Sequence, residues 1–133
     1  MKFDAAIKQI YMNAEPGRSL KDIAGDVSYT ACGEIGGRYT KQKAISLVNA
    51  VNFALDESGV FFVDADGNNL RFTIAEVAGK NECEVRIAGR AVASSNGRTR
   101  FTAREAVSMI YQVINRTANR GGVFDPAHVY LFV

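Results

Sequence analysis

One phrase occurs twice in this chain. The run Ala31-Cys32-Gly33-Glu34-Ile35-Gly36-Gly37-Arg38-Tyr39-Thr40, followed by Ala44-Ile45-Ser46, returns 62 residues later as Ala93-Ser94-Ser95-Asn96-Gly97-Arg98-Thr99-Arg100-Phe101-Thr102, followed by Ala106-Val107-Ser108. The match continues through Leu47/Met109, Val48/Ile110 and Val51/Val113, and Gly59-Val60-Phe61 and Gly122-Val123-Phe124 close the two units. Each copy sets glycine, arginine and an aromatic ahead of a threonine able to cap a helix, the first with three glycines and one arginine, the second with one glycine and two arginines. The spacing predicts one domain over 1–133 with an internal repeat of about 31–64 and 93–126, each half a loop, a helix, a Gly-Val-Phe turn and a strand. Alanine, threonine and serine matches are common between capped amphipathic helices, so coincidence is the competing reading.

The segments between the copies fill in an α+β fold, an antiparallel sheet packed against two central helices plus an N-terminal helix. Phe3, Ala6, Ile7, Ile10 and Tyr11 recur at helical spacing and predict a helix over 3–14, stopped by Pro16 and Gly17. Ser19 caps a short helical turn through Ile23, and the alternation of Val27, Tyr29 and Ala31 reads as a strand entering the first glycine-rich loop. Thr40 opens a helix over about 41–57. Its apolar residues, Ala44, Ile45, Leu47, Val48, Val51, Phe53, Ala54 and Leu55, exceed one stripe. Such a helix is covered on more than one side, by the sheet and by its repeat counterpart or another subunit.

Beyond Gly59 the period changes to two. Val60 to Val63, then Leu70, Phe72 and Ile74, then Cys83, Val85 and Ile87 form an antiparallel meander with turns at Asp66-Gly67 and Gly79-Lys80-Asn81. Thr102-Ala103-Arg104-Glu105 is a capping box for a second central helix over about 103–119. Gly121-Gly122 ends that helix, and His128 to Val133 reads as a closing strand.

Bulk properties exclude several classes. Sixteen basic and fourteen acidic residues leave a net charge of +2, too little for a nucleic-acid coating or membrane-surface protein. No stretch approaches the roughly 18 apolar residues of a membrane span, and no signal peptide is evident, so the expected location is the cytoplasm. Cys32 and Cys83 lack metal or redox spacing, and no metal or cofactor is expected. His128 is the sole histidine, Ser94-Ser95 has no activating base at a motif spacing, and the Asp64/Asp66 pair is explained by turn chemistry. No catalytic residue is assigned, and the chain is not read as an enzyme.

The informative residues are arginines. Arg38, Arg98 and Arg100 stand in the repeat loops, with Arg104 in the next turn and Arg116 and Arg120 toward the glycine pair. Arg38 and Arg100 are electrostatically misplaced ahead of helix N-termini, where an anion is favoured. Arg116 and Arg120 lie toward a helix C-terminus, where a cation has an ordinary structural use. Gly33-Glu34-Ile35-Gly36-Gly37 lacks the ending of a P-loop and is no dinucleotide fingerprint. A GxxG clamp of KH type belongs between two helices, whereas here a strand is expected ahead of the loop. Tyr39 and Phe101 read either as base-stacking platforms or as hydrophobic staples.

The phrase Gly36-Gly37-Arg38-Tyr39-Thr40, the helix end Asn52-Phe53-Ala54-Leu55-Asp56 and the segment Asn115-Arg116-Thr117-Ala118-Asn119-Arg120-Gly121-Gly122 together resemble the first anti-Thoeris family. These are compact phage proteins that bind a cyclic ADP-ribose isomer, assemble as oligomers of dimers and in some members hold cyclic oligonucleotides. The resemblance implies a sponge in the host cytoplasm that sequesters a nucleotide signal without cleaving it, acting as a homo-oligomer with no membrane partner. Arg100, Arg116 and Arg120 would take phosphates, Gly121 and Gly122 would approach the ligand, and Asn96 or Thr117 would read a base or ribose edge. Arg98 and the more weakly indicated Arg38 complete the set. The alternative is a small inhibitor that binds a protein or nucleic-acid target directly, as anti-CRISPR proteins do, and RNA or DNA binding through the loops ranks third.

Overall fold

A computed structural model describes residues 2–31, 39–60 and 62–125. Cys32, Gly33, Gly36, Gly37, Arg38, Phe61, Pro126 and His128, with the expected closing strand, lie outside the described residues. Helix α1 spans Lys2–Asn13, α2 Leu20–Ala31 and α3 Lys41–Ser58, followed by strands β1 Phe72–Glu76, β2 Glu82–Ile87, β3 Arg90–Ala91 and β4 Phe101–Thr102, and then α4 Ala103–Asn119.

The fold is α+β, and its sheet is antiparallel throughout. β2 is the central strand. On one side β1 pairs with it from Phe72↔Ile87 to Glu76↔Cys83. On the other side its two ends take β3 and β4 in tandem, through Ile87↔Arg90 and Cys83↔Phe101. Cys83, Val85 and Ile87 are buried while Glu82, Glu84 and Arg86 alternate outward, as the period of two requires.

Three layers result. α3 and α4 lie between the sheet and an outer pair made of α1 and α2, with α3 against β1 and α1, and α4 against β2 and α2. This arrangement answers why α3 is apolar beyond one stripe. Ala44, Leu47, Val48, Ala50, Val51, Ala54 and Leu55 are all buried, and the cover comes from α1, α4 and the sheet of the same chain. Phe62 is fully buried, its ring stacked on Phe72 at 5.3 Å and tilted against Phe124 at 6.2 Å.

One expectation is corrected. Residues 27–31 are helical, the last turns of α2, and not a strand. The glycine-rich phrase therefore stands between two helices, and the expected strand no longer argues against a KH-type clamp there. Leu20, Ile23, Ala24 and Val27 are buried at helical spacing. The helix start is locked reciprocally, the Asp22 N–H donating to Ser19 Oγ and the Ser19 N–H to the Asp22 carboxylate. The alternation of Val27, Tyr29 and Ala31 is weaker than this pattern because it ignores Ile23, one turn before Val27.

The two copies of the phrase run into similarly capped helices. Thr40 and Thr102 are both N-caps, accepting from the Lys43 and Glu105 N–H groups. The segments after the two helices run side by side, the Val63 N–H donating to the Gly122 carbonyl and the Phe124 N–H to the Val63 carbonyl.

Candidate functional site

The starts of α3 and α4 meet at one corner of the molecule. The Arg104 guanidinium, one residue into α4, lies 4.5 Å from the centre of the Tyr39 ring, the residue just before the α3 cap. Lys43 Nζ approaches the same ring at 5.8 Å and the Phe3 ring at 5.5 Å. Tyr39 and Phe3 pack edge to face at 6.3 Å. The first copy of the repeat therefore supplies the aromatic and the second the cation that covers it.

Cations crowd this corner. α3 carries no acidic residue in its first turn and begins with Lys41 and Lys43. Lys41 reaches across to the end of β1, 3.3 Å from the Val77 carbonyl and 3.8 Å from Glu76. Arg100 is exposed just before β4, and among the described residues neither Arg100 nor Arg104 meets a carboxylate. Two helix N-termini and two unpaired guanidinium groups make the region electropositive.

Arg98 has other work. It donates to the Arg100 carbonyl at 3.0 Å and to Glu105 at 2.8 Å, and its guanidinium lies 5.5 Å from the Phe101 ring centre. Glu105 in turn accepts from the Thr102 N–H at 3.0 Å, completing the capping box. Burial pulls the Glu105 carboxyl upward, but the Thr102 N–H and Arg98 outweigh it and hold it below the ordinary carboxylate range. Asn96 also serves the loop, its carbonyl oxygen accepting from the Ser94 hydroxyl and the Arg98 N–H.

The rest of the expected set lies at the far end of α4. That helix is 17 residues long, so Arg116 to Gly122 stand about 25 Å from Arg100 at ~1.5 Å per residue. One chain does not bring them into a single pocket. Gly121 and Gly122, both at positive φ, close a Schellman cap in which their N–H groups donate to the Ala118 and Thr117 carbonyls. Thr117 is fully buried with its hydroxyl unpartnered, and Arg120 pairs with Asp125 at 3.3 Å. Arg116 is half-buried in the last turn. Gly121, Gly122 and Ala118 do line a cavity of about 320 Å³, shared with Ser19, Leu20, Lys21 and Val60. The carbonyl end of α4 faces an anion unfavourably there.

Tyr39 is only 6% exposed and Phe101 is fully buried, which closes both to base stacking. Lys41 and Lys43 belong to the corner although the arginine-centred reading of the sequence passed over them. The signal was present: lysines in the first turn of a helix are as misplaced as an arginine before it.

Among the described residues no helix is long and apolar enough to cross a membrane, and no group of three or more metal-ligating side chains is assembled. Comparisons of the chain with protein families, characterised proteins and solved structures give no significant match.

Proposed function

We propose that this chain binds a phosphate-bearing nucleotide at the joined starts of α3 and α4, and sequesters it without cleavage. The observation that carries the reading is Arg104 laid across Tyr39, which unites two helix N-termini beside the unpaired Arg100. Thr40 satisfies only one of the N–H groups that the start of α3 leaves without an intrahelical acceptor. A phosphate would take others and gain charge-assisted hydrogen bonds from Arg100 and Arg104. Two guanidinium groups that meet no carboxylate among the described residues, Arg100 and Arg104, favour a multiply charged ligand, in line with the cyclic nucleotide signals that the anti-Thoeris resemblance implies.

Function then follows by mass action. A phage protein made in excess in the host cytoplasm lowers the free concentration of the signal and keeps the host's effector inactive. The proposal includes a homo-oligomer, since only a second chain would bring Arg116 or Arg120 near this corner. Calorimetry against a panel of cyclic nucleotides tests it. Micromolar or tighter binding of an intact, heat-recoverable nucleotide, lost in Arg100→Ala/Arg104→Ala, is the expected result. Absence of binding across the panel, with copurification of a host protein or nucleic-acid complex, would favour the direct-inhibitor alternative.

A further inference from the structure

The exposed large apolar side chains among the described residues include Tyr11, Met12 and Phe53, which border one groove of about 490 Å³ between α1 and α3. Tyr11 and Phe53 are in ring contact across it at 5.1 Å, and Ile7 and Phe3 form its base. Met12 is 68% exposed, far more than a buried-face methionine. A grouped apolar surface of this kind marks an interaction site.

Charge identifies the occupant. The groove contains one acid and one base, Asp4 and Lys8, one turn apart on α1. Among the described residues neither forms an ion pair, not even with the other. A partner of one charge sign would meet a matching and an opposing group in the same groove. A copy of the same face, turned by a two-fold axis, meets both correctly. We infer that the α1/α3 groove is an isologous dimer contact in which Asp4 of one chain faces Lys8 of the partner subunit, with apolar groove laid on apolar groove. This assignment rests on the oligomeric part of the proposed function and is independent of the ligand.

Charge reversal followed by mixing tests it. Wild-type mass by light scattering is two chains, or a multiple of two. Asp4→Lys and Lys8→Glu each place like charges across the axis twice and lose the dimer. An equimolar mixture of the two variants pairs every charge with its opposite and restores it, as does the double variant Asp4→Lys/Lys8→Glu. Phe53→Glu loses the dimer without rescue, and circular dichroism checks that each variant keeps its helices. A monomeric wild type overturns both the contact and the oligomeric part of the proposed function. An oligomer indifferent to all three single substitutions, or single losses that mixing does not rescue, overturns this face alone.

Discussion

The Arg104 guanidinium covers the Tyr39 ring at 4.5 Å, and in doing so ties the second half of the repeat to the first. The contact is partly exposed on the arginine side, so its value to stability is modest. Arg104→Ala is expected to cost about 0.5–1 kcal/mol in chemical denaturation, while weakening nucleotide binding at least as much as Arg100→Ala. An equal loss of stability and binding would point to a structural arginine.

The two threonine caps should differ. Thr102 participates in a reciprocal box with Glu105, whereas Thr40 only accepts from Lys43. Thr102→Ala is expected to destabilise by about 1–2 kcal/mol and Thr40→Ala by about 0.5–1 kcal/mol. Urea midpoints of the two variants check the order.

Thr117 offers the opposite sign. Its hydroxyl is fully buried without a partner, at a position the sequence reading assigned to a ligand. Thr117→Val keeps the shape and removes the unpaired group, so the melting temperature is expected to stay level or rise, by up to about 1–2 kcal/mol of stability. A loss of nucleotide binding with unchanged stability would return Thr117 to the site.

Stability should fall in acid. The Ser19 N–H and hydroxyl hold Asp22 below the ordinary carboxylate range, Asn68 does the same for Asp64, and Glu105 follows against the upward pull of its burial. These folded values lie below the unfolded ones, so the unfolded chain binds protons first. Their contribution is complete above roughly pH 4.5 and is lost as pH decreases through the folded values. Thermal melts between neutral pH and pH 3 check the direction, and Glu105→Gln should flatten part of the slope.

Cys83 carries the alkaline counterpart. Burial pushes its thiol up to about 11, only partly opposed by Lys41. The unfolded thiol ionises first, so the contribution is complete below the unfolded value of about 9 and is lost as pH rises toward 11. In a Cys32→Ser background, Cys83 should resist alkylation at neutral pH and react at once on denaturation.

Much of this fold is legible in the sequence because its signals are local. The Thr40 and Thr102 caps, the Cys83-Val85-Ile87 alternation and the glycine end of α4 each follow from a few neighbouring residues. The second half of α2 is harder to see because the alternation of Val27, Tyr29 and Ala31 mimics a strand, whereas the helix is carried by Leu20, Ile23, Ala24 and Val27. The site was harder. Arginine type and helix position point to Arg100, but only the packing of α3 beside α4 brings Tyr39 to Arg104. Nothing local distinguishes Arg98, consumed by Glu105, from Arg100, which is not. Nor does spacing alone show that Gly121 and Gly122 are occupied by their own cap.

The most direct test of the joined helix starts is amide NMR of labelled protein titrated with a cyclic dinucleotide. Shifts concentrated at Lys41 to Lys43 and Arg100 to Arg104, with the Tyr39 ring moving at the same ligand ratio, are the expected result. Shifts confined to Lys21 and Ala118 to Gly122, or none at saturating ligand, would contradict it.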